Sequence, residues 1–166
     1  MRITITPVWL AGIPITRPLF DIKKKRILSL EVTSEEVHDG RMLKNLVDNV
    51  SENNNLKSVL ADGMYDSNNN FRYLSNNHIK PGIKTRSNSK VKSTSCHARN
   101  MSVLRQQTNL KRWKYNMNYG HRWIAETVFS SIKRIFGEHV AARKFPHMVK
   151  EILLKASLYN MFSRMT

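Results

Sequence analysis

The 166 residues carry 28 Lys plus Arg against 12 Asp plus Glu, a formal charge of +16. Hydrophobic residues make up 40% and charged residues 24%, which excludes collagen-like, mucin-like and wholly disordered chains. The single cysteine, Cys96, excludes an intrachain disulfide framework and a thiolate zinc site.

Residues 1–20 contain three prolines, no Asp or Glu and no clear period, and they are read as an unmatched N-terminal tail. Their mildly apolar middle lacks a small-x-small cleavage site, so no signal peptide is expected. No apolar window approaches the ~20 residues of a spanning helix, so no membrane partner is expected and the expected location is the cytoplasm. Asp21 opens a basic turn ending at Arg26, and residues 27–32 (ILSLEV) read as a strand. Thr33 or Ser34, with Glu36, signals a helix start, and Met42, Leu43, Leu46, Val47 and Val50 recur at helical spacing. Asn53, Asn54 and Asn55 close that helix as a loop.

Residues 57–61 (KSVLA) form a short apolar run ending at Asp62, expected to be a buried strand. Ser67 is an expected N-cap for a helix holding Phe71, Tyr73 and Leu74, and residues 78–83 supply another short strand. Strand, helix, strand, helix, strand implies an α/β domain with adjacent parallel strands. Residues 84–99 are Ser, Asn, Lys and Arg rich and read as a mobile basic loop. Helical patterns follow at about 101–116, 123–136 and 148–165, and the last is a core helix by its Met148, Ile152, Leu153, Ala156, Tyr159 and Phe162.

The charge is lopsided. Residues 1–83 carry 11 basic and 9 acidic side chains, whereas residues 84–166 carry 17 and 3. Such a surplus in half a small domain calls for a polyanionic partner, and nucleic acid fits because spaced phosphates reward clustered Lys and Arg. Trp113, Tyr115 and Trp123 lie among Lys111, Arg112, Lys114 and Arg122. Aromatics so placed either stack on unpaired bases or belong to the core.

The most informative stretch runs from Tyr119 to Lys133. At 100° per residue, Tyr119, Arg122, Glu126 and Lys133 share one stripe about 60° wide, while Ile124, Val128, Ile132, Ile135 and Phe136 fall elsewhere. By geometry alone this is equally an amphipathic surface helix with an Arg122–Glu126 pair at i, i+4. Glu126, however, is the only acid between Asp66 and Glu138. A lone carboxylate amid phosphate-binding cations suits a divalent-metal ligand. Asp62, directly after a buried strand, stands at the carboxyl end of the sheet, where open α/β folds place their sites. Asp66, beside Ser67, is read as a turn or helix-start residue.

The segment Tyr119–Lys133 has the spacing Tyr-x2-Arg-x3-Glu-x6-Lys and resembles a signature of DDE transposases of prokaryotic insertion sequences. Residues 27–43, 61–74 and 128–145 are similar to that family too, so the likeness covers residues 21–166 in family order. The resemblance implies a ribonuclease H-like fold, a mixed sheet flanked by helices, N-terminally incomplete here. It implies that Asp62 and Glu126 are catalytic and metal-binding, holding two Mg²⁺ or Mn²⁺ ions with a first Asp from an earlier strand. Tyr119, Arg122 and Lys133 match positions that bind DNA phosphates. The implied partners are insertion-sequence ends and target DNA, together with a second copy or an intact transposase. Because residues 1–20 offer no acid, the expectation is a truncated C-terminal part, inactive alone; the alternative is a non-catalytic DNA- or RNA-binding protein.

Overall fold

In the computed structural model, which describes residues 1–5, 15–33, 39–51 and 55–165, strand β4 (Ser58–Ala61) is buried along its whole length. Val59 and Ala61 join one hydrophobic cluster and Leu60 joins another, so both faces of the strand are covered. That demands a central position in a sheet with helices on both sides. The sheet has five strands in the order β3-β2-β1-β4-β5, where β1 is Arg2–Ile5, β2 Ile15–Asp21, β3 Arg26–Thr33 and β5 Lys80–Ile83. β1, β4 and β5 run parallel, whereas β1–β2 and β2–β3 pair antiparallel. The expected mixed α/β sheet is therefore present.

Among the described residues five helices flank it: α1 (Leu43–Ser51), α2 (Asn68–Asn76), α3 (His97–Met117), α4 (Trp123–Phe136) and α5 (Phe145–Met165). Leu43, Leu46 and Val47 of α1 and Phe71 and Leu74 of α2 pack on Ile3, Ile5, Leu19 and Val59. On the opposite face Trp113 and Met117 of α3, Ile124, Val128 and Phe129 of α4, and Ala156 and Tyr159 of α5 enclose Phe20, Ile27 and Leu60. Phe20 meets Phe129 edge to face at 5.8 Å, a favourable aromatic geometry. Ser67 caps α2 as expected, its Oγ accepting from the Asn70 N–H at 3.2 Å.

Several expectations change. Residues 2–5 and 15–21 supply two of the sheet's strands, whereas the sequence reads residues 1–20 as an unmatched tail; Pro18 within β2 and the lack of a clear period conceal them. The strand at 27–32 is not a parallel neighbour of β4. It follows β2 through a tight turn, in which Asp21 Oδ1 accepts from the Lys23 and Lys24 N–H groups, and such a turn joins antiparallel strands. Residues 84–96 are tethered: the Thr85 N–H donates to Gln106 Oε1, and Lys92 exchanges two hydrogen bonds with the Asn100 side chain. Ile135, placed on the apolar face of its helix, is 47% exposed. Of the helix-start signal, Ser34 and Glu36 lie outside the described residues, as do Asn53 and Asn54 of the loop that closes that helix.

Candidate active site

Asp62 leaves the end of β4 on the same side as Leu60, toward α4, because side chains alternate along a strand. Its backbone is extended and its Oδ1 accepts from the Met64 N–H at 3.0 Å, capping a short 3-10 turn at Gly63–Tyr65. The Ala61 carbonyl just before it accepts twice, from the Lys84 N–H at 3.0 Å and from the Tyr119 hydroxyl at 3.1 Å. The tip of β4 is thereby tied to β5 and to the segment after α3.

That segment turns sharply. Asn118 adopts the left-handed conformation (φ 51°, ψ 38°) that Asn tolerates, and Tyr119–Arg122 forms a 3-10 turn before α4 begins. Tyr119 is buried with its ring 5.1 Å from that of Trp113. Burial, assisted by Asp62 and opposed by Arg122, pushes its hydroxyl up to about 12, so it stays a neutral donor. Arg122 lies between two carboxylates: Nη1 is 3.6 Å from Asp62 Oδ2 and Nη2 is 3.9 Å from Glu126 Oε1. A cavity of about 720 Å³ opens here, lined by Asp62, Lys84, Arg86, Gln107, Lys114 and Arg122 among others. Four cations and one carboxylate on its wall favour an anionic occupant.

Residues 19–161 match the family model described as a transposase DDE domain. The chain belongs to the transposase DDE domain family. Among solved structures it is similar to the piggyBac transposase in its synaptic complex with hairpin DNA, at 11% identity and a TM-score of 0.53. That match covers 98% of this chain and 46% of the piggyBac chain, so this chain spans about half the length of that structure. It supports the ribonuclease H-like fold expected from the sequence.

In this DDE domain Asp62, Tyr119, Arg122 and Glu126 gather at one point, while Lys133 does not join them. Lys133 lies seven residues beyond Glu126, roughly 10 Å along the helix, and is 3.7 Å from Glu138. Tyr119 also leaves the expected stripe. A left-handed residue and a 3-10 turn precede α4, so the uniform 100° step does not extend back to position 119, and its hydroxyl is spent on Ala61.

Transposase DDE domains typically use divalent metal ions. Asp62 and Glu126 offer hard oxygen donors of the kind Mg²⁺ accepts. Among the described residues no group of three His, Cys, Asp or Glu could hold a metal ion. Asp62 and Glu126 are joined through Arg122, so an ion held by them would be completed by water or phosphate oxygens. Of the other lining residues, the sequence marks Lys114 through its place among Trp113 and Tyr115, while Lys84 and Arg86 are signalled only by the charge surplus after residue 84 and Gln107 by nothing. Neither signal says which cations face Asp62. Trp113 is core, whereas Tyr115 and Trp123 are exposed.

Proposed function

We propose that this domain grips DNA phosphates in the cavity beside Asp62, and that its reaction class is phosphodiester cleavage and joining in insertion-sequence transposition. The observation that carries this is Arg122, which draws a strand-tip Asp and a helix Glu onto one guanidinium at the wall of a cationic cavity. Arg offers a bidentate grip on a phosphate, while Lys84 and Lys114 serve as point charges. Tyr119, neutral and bound to the Ala61 carbonyl, holds the strand tip on which Asp62 stands. Asp62 and Glu126 would hold Mg²⁺ or Mn²⁺, which when bound supplies charge neutralisation at the phosphate and a more acidic water. The DNA complex of the similar piggyBac structure supports DNA as the partner, here insertion-sequence ends and target DNA, with a second copy or an intact transposase beside it. The proposed setting is the cytoplasm, in keeping with one cysteine and with no described helix long and apolar enough to cross a membrane.

Two acids instead of three at this point, among the described residues, favour a second reading, a DNA-binding domain with turnover near zero. A plasmid-nicking assay in Mg²⁺ or Mn²⁺, run beside a DNA-binding titration, tests both. We expect binding that weakens about tenfold in Lys84→Gln/Arg122→Gln, as two lost phosphate contacts require, with cleavage at background. Unchanged affinity in that variant sinks the DNA-gripping cavity. Robust cleavage abolished by Asp62→Ala sinks the incomplete-acid reading. Tight binding to structured RNA, indifferent to Mg²⁺ and to Glu126→Gln, would point instead to an RNA-binding module.

A further inference from the structure

α3 is broken at Asn109, whose backbone (φ −157°, ψ 91°) is not helical. Its Oδ1 accepts from the Arg112 N–H at 2.8 Å and so restarts the helix as a cap does. The helix presents different residues to two cavities. Gln106, Gln107 and Lys114 line the one beside Asp62; Arg105, Asn109 and Arg112 line a second of about 650 Å³, and no residue lines both. Lys80, at the start of edge strand β5, joins the second wall, and buried Trp113 and Met117 contribute its apolar floor.

Lys80, Arg105 and Arg112 are exposed, and none of the three meets a carboxylate among the described residues. Elsewhere the molecule does compensate cations: Arg99 meets Asp66, Arg122 meets Asp62 and Glu126, Lys133 meets Glu138 and Lys155 meets Glu151. No acid lies in the sequence between Asp66 and Glu126 to relieve this groove. Three cations gathered without a counter-charge repel one another until an anion arrives. Arg105 and Arg112 stand on either side of the break at Asn109, and with Lys80 they bring three cations from two elements to one groove. The fitting ligand is a polyanion such as a DNA backbone.

We infer that the groove lined by Lys80, Arg105 and Arg112 is a second contact for the duplex DNA backbone, separate from the carboxylate site. It rests on the reading that the domain binds DNA, and it needs neither metal nor Asp62. Fluorescence anisotropy with a random-sequence duplex, in EDTA and across a salt series, tests it. Arg105→Gln/Arg112→Gln removes two phosphate contacts, so affinity falls about tenfold and the log–log salt slope becomes shallower by about 2. Lys44→Gln/Arg72→Gln removes the same charge from exposed positions on α1 and α2, which pack on the other face of the sheet, and leaves both quantities near their starting values. Lys84→Gln/Lys114→Gln removes two cations from the cavity beside Asp62 and lowers affinity by its own increment, additive with that of the groove variant, so failure at the groove and failure at the carboxylate site are told apart. The inference is overturned if the groove variant matches the control in affinity and slope. It is also overturned if the groove variant loses poly-glutamate binding to the same degree, which would point to an acidic protein partner.

Discussion

Asp62 and Asp66 lie four residues apart in one turn and do different work. Asp62 is half-buried, with one oxygen on a backbone N–H and the other facing Arg122. Asp66 is buried and accepts from Arg99 Nε at 2.7 Å and Nη2 at 3.1 Å, from the Ser89 hydroxyl at 2.7 Å and from the Arg86 N–H at 3.1 Å. Burial alone would raise its pKa, but Arg99, Ser89 and the Arg86 N–H outweigh it and hold the carboxyl below the ordinary value. The contribution to stability is therefore complete above the unfolded pKa, about 3.9, and is lost as pH falls through the lower folded value. Asp66→Asn leaves Arg99 uncompensated, and we expect a loss of about 3 kcal/mol at neutral pH. In urea melts that difference should shrink below about pH 4; a difference constant down to pH 2 would show that Asp66 is not the anchor. The buried run before Asp62 made its place at the strand tip readable from the sequence. Asp66 does end that turn, as its place beside Ser67 implies, but its side-chain partners lie 20 to 33 positions downstream, beyond any local pattern.

At the scale of elements, β5 packs closely on β4 and the end of α3 at Gly82. A Cβ on Gly82 would come within 2.5 Å of Leu60 Cδ2 and 3.1 Å of Met117 Cε, and 3.0 Å from the Val59 carbonyl oxygen. Gly82→Ala thus crowds β5 against β4 and the end of α3, and it should cost about 1–3 kcal/mol, read as a lower midpoint in urea. The same substitution should weaken DNA binding, since Lys84 leaves β5 directly into the cavity wall; an unchanged midpoint would mean that the strand shifts freely. Helical periodicity made α4 legible, and Ile124, Val128 and Ile132 are buried as the pattern implied. The break in α3 at Asn109 and the 3-10 turn at Tyr119 were not legible. Both rest on backbone angles that hydrophobic spacing does not encode.

For the whole molecule, a charge of +16 spread so unevenly makes folding and ionic strength interdependent. Self-repulsion among exposed cations is screened over about 10 Å at 0.1 M salt, so Tm should rise by several degrees between 20 and 300 mM NaCl. Duplex DNA at low salt should raise it further through preferential binding to the folded state. A Tm indifferent to both would mean that the cations are already compensated. The chain's own order of residues determined which segments are helical, that Asp62 follows a strand and Glu126 lies on a helix, and that its second half is strongly cationic. Composition and period are local properties, and they survive in the sequence alone. Tertiary structure decided the rest: that residues 2–5 and 15–21 belong to the sheet, that Arg122 spans Asp62 and Glu126, and that Tyr119 is buried against the Ala61 carbonyl 58 positions away. Such pairings depend on which surfaces are buried together, and burial is settled only when the distant parts of the chain meet.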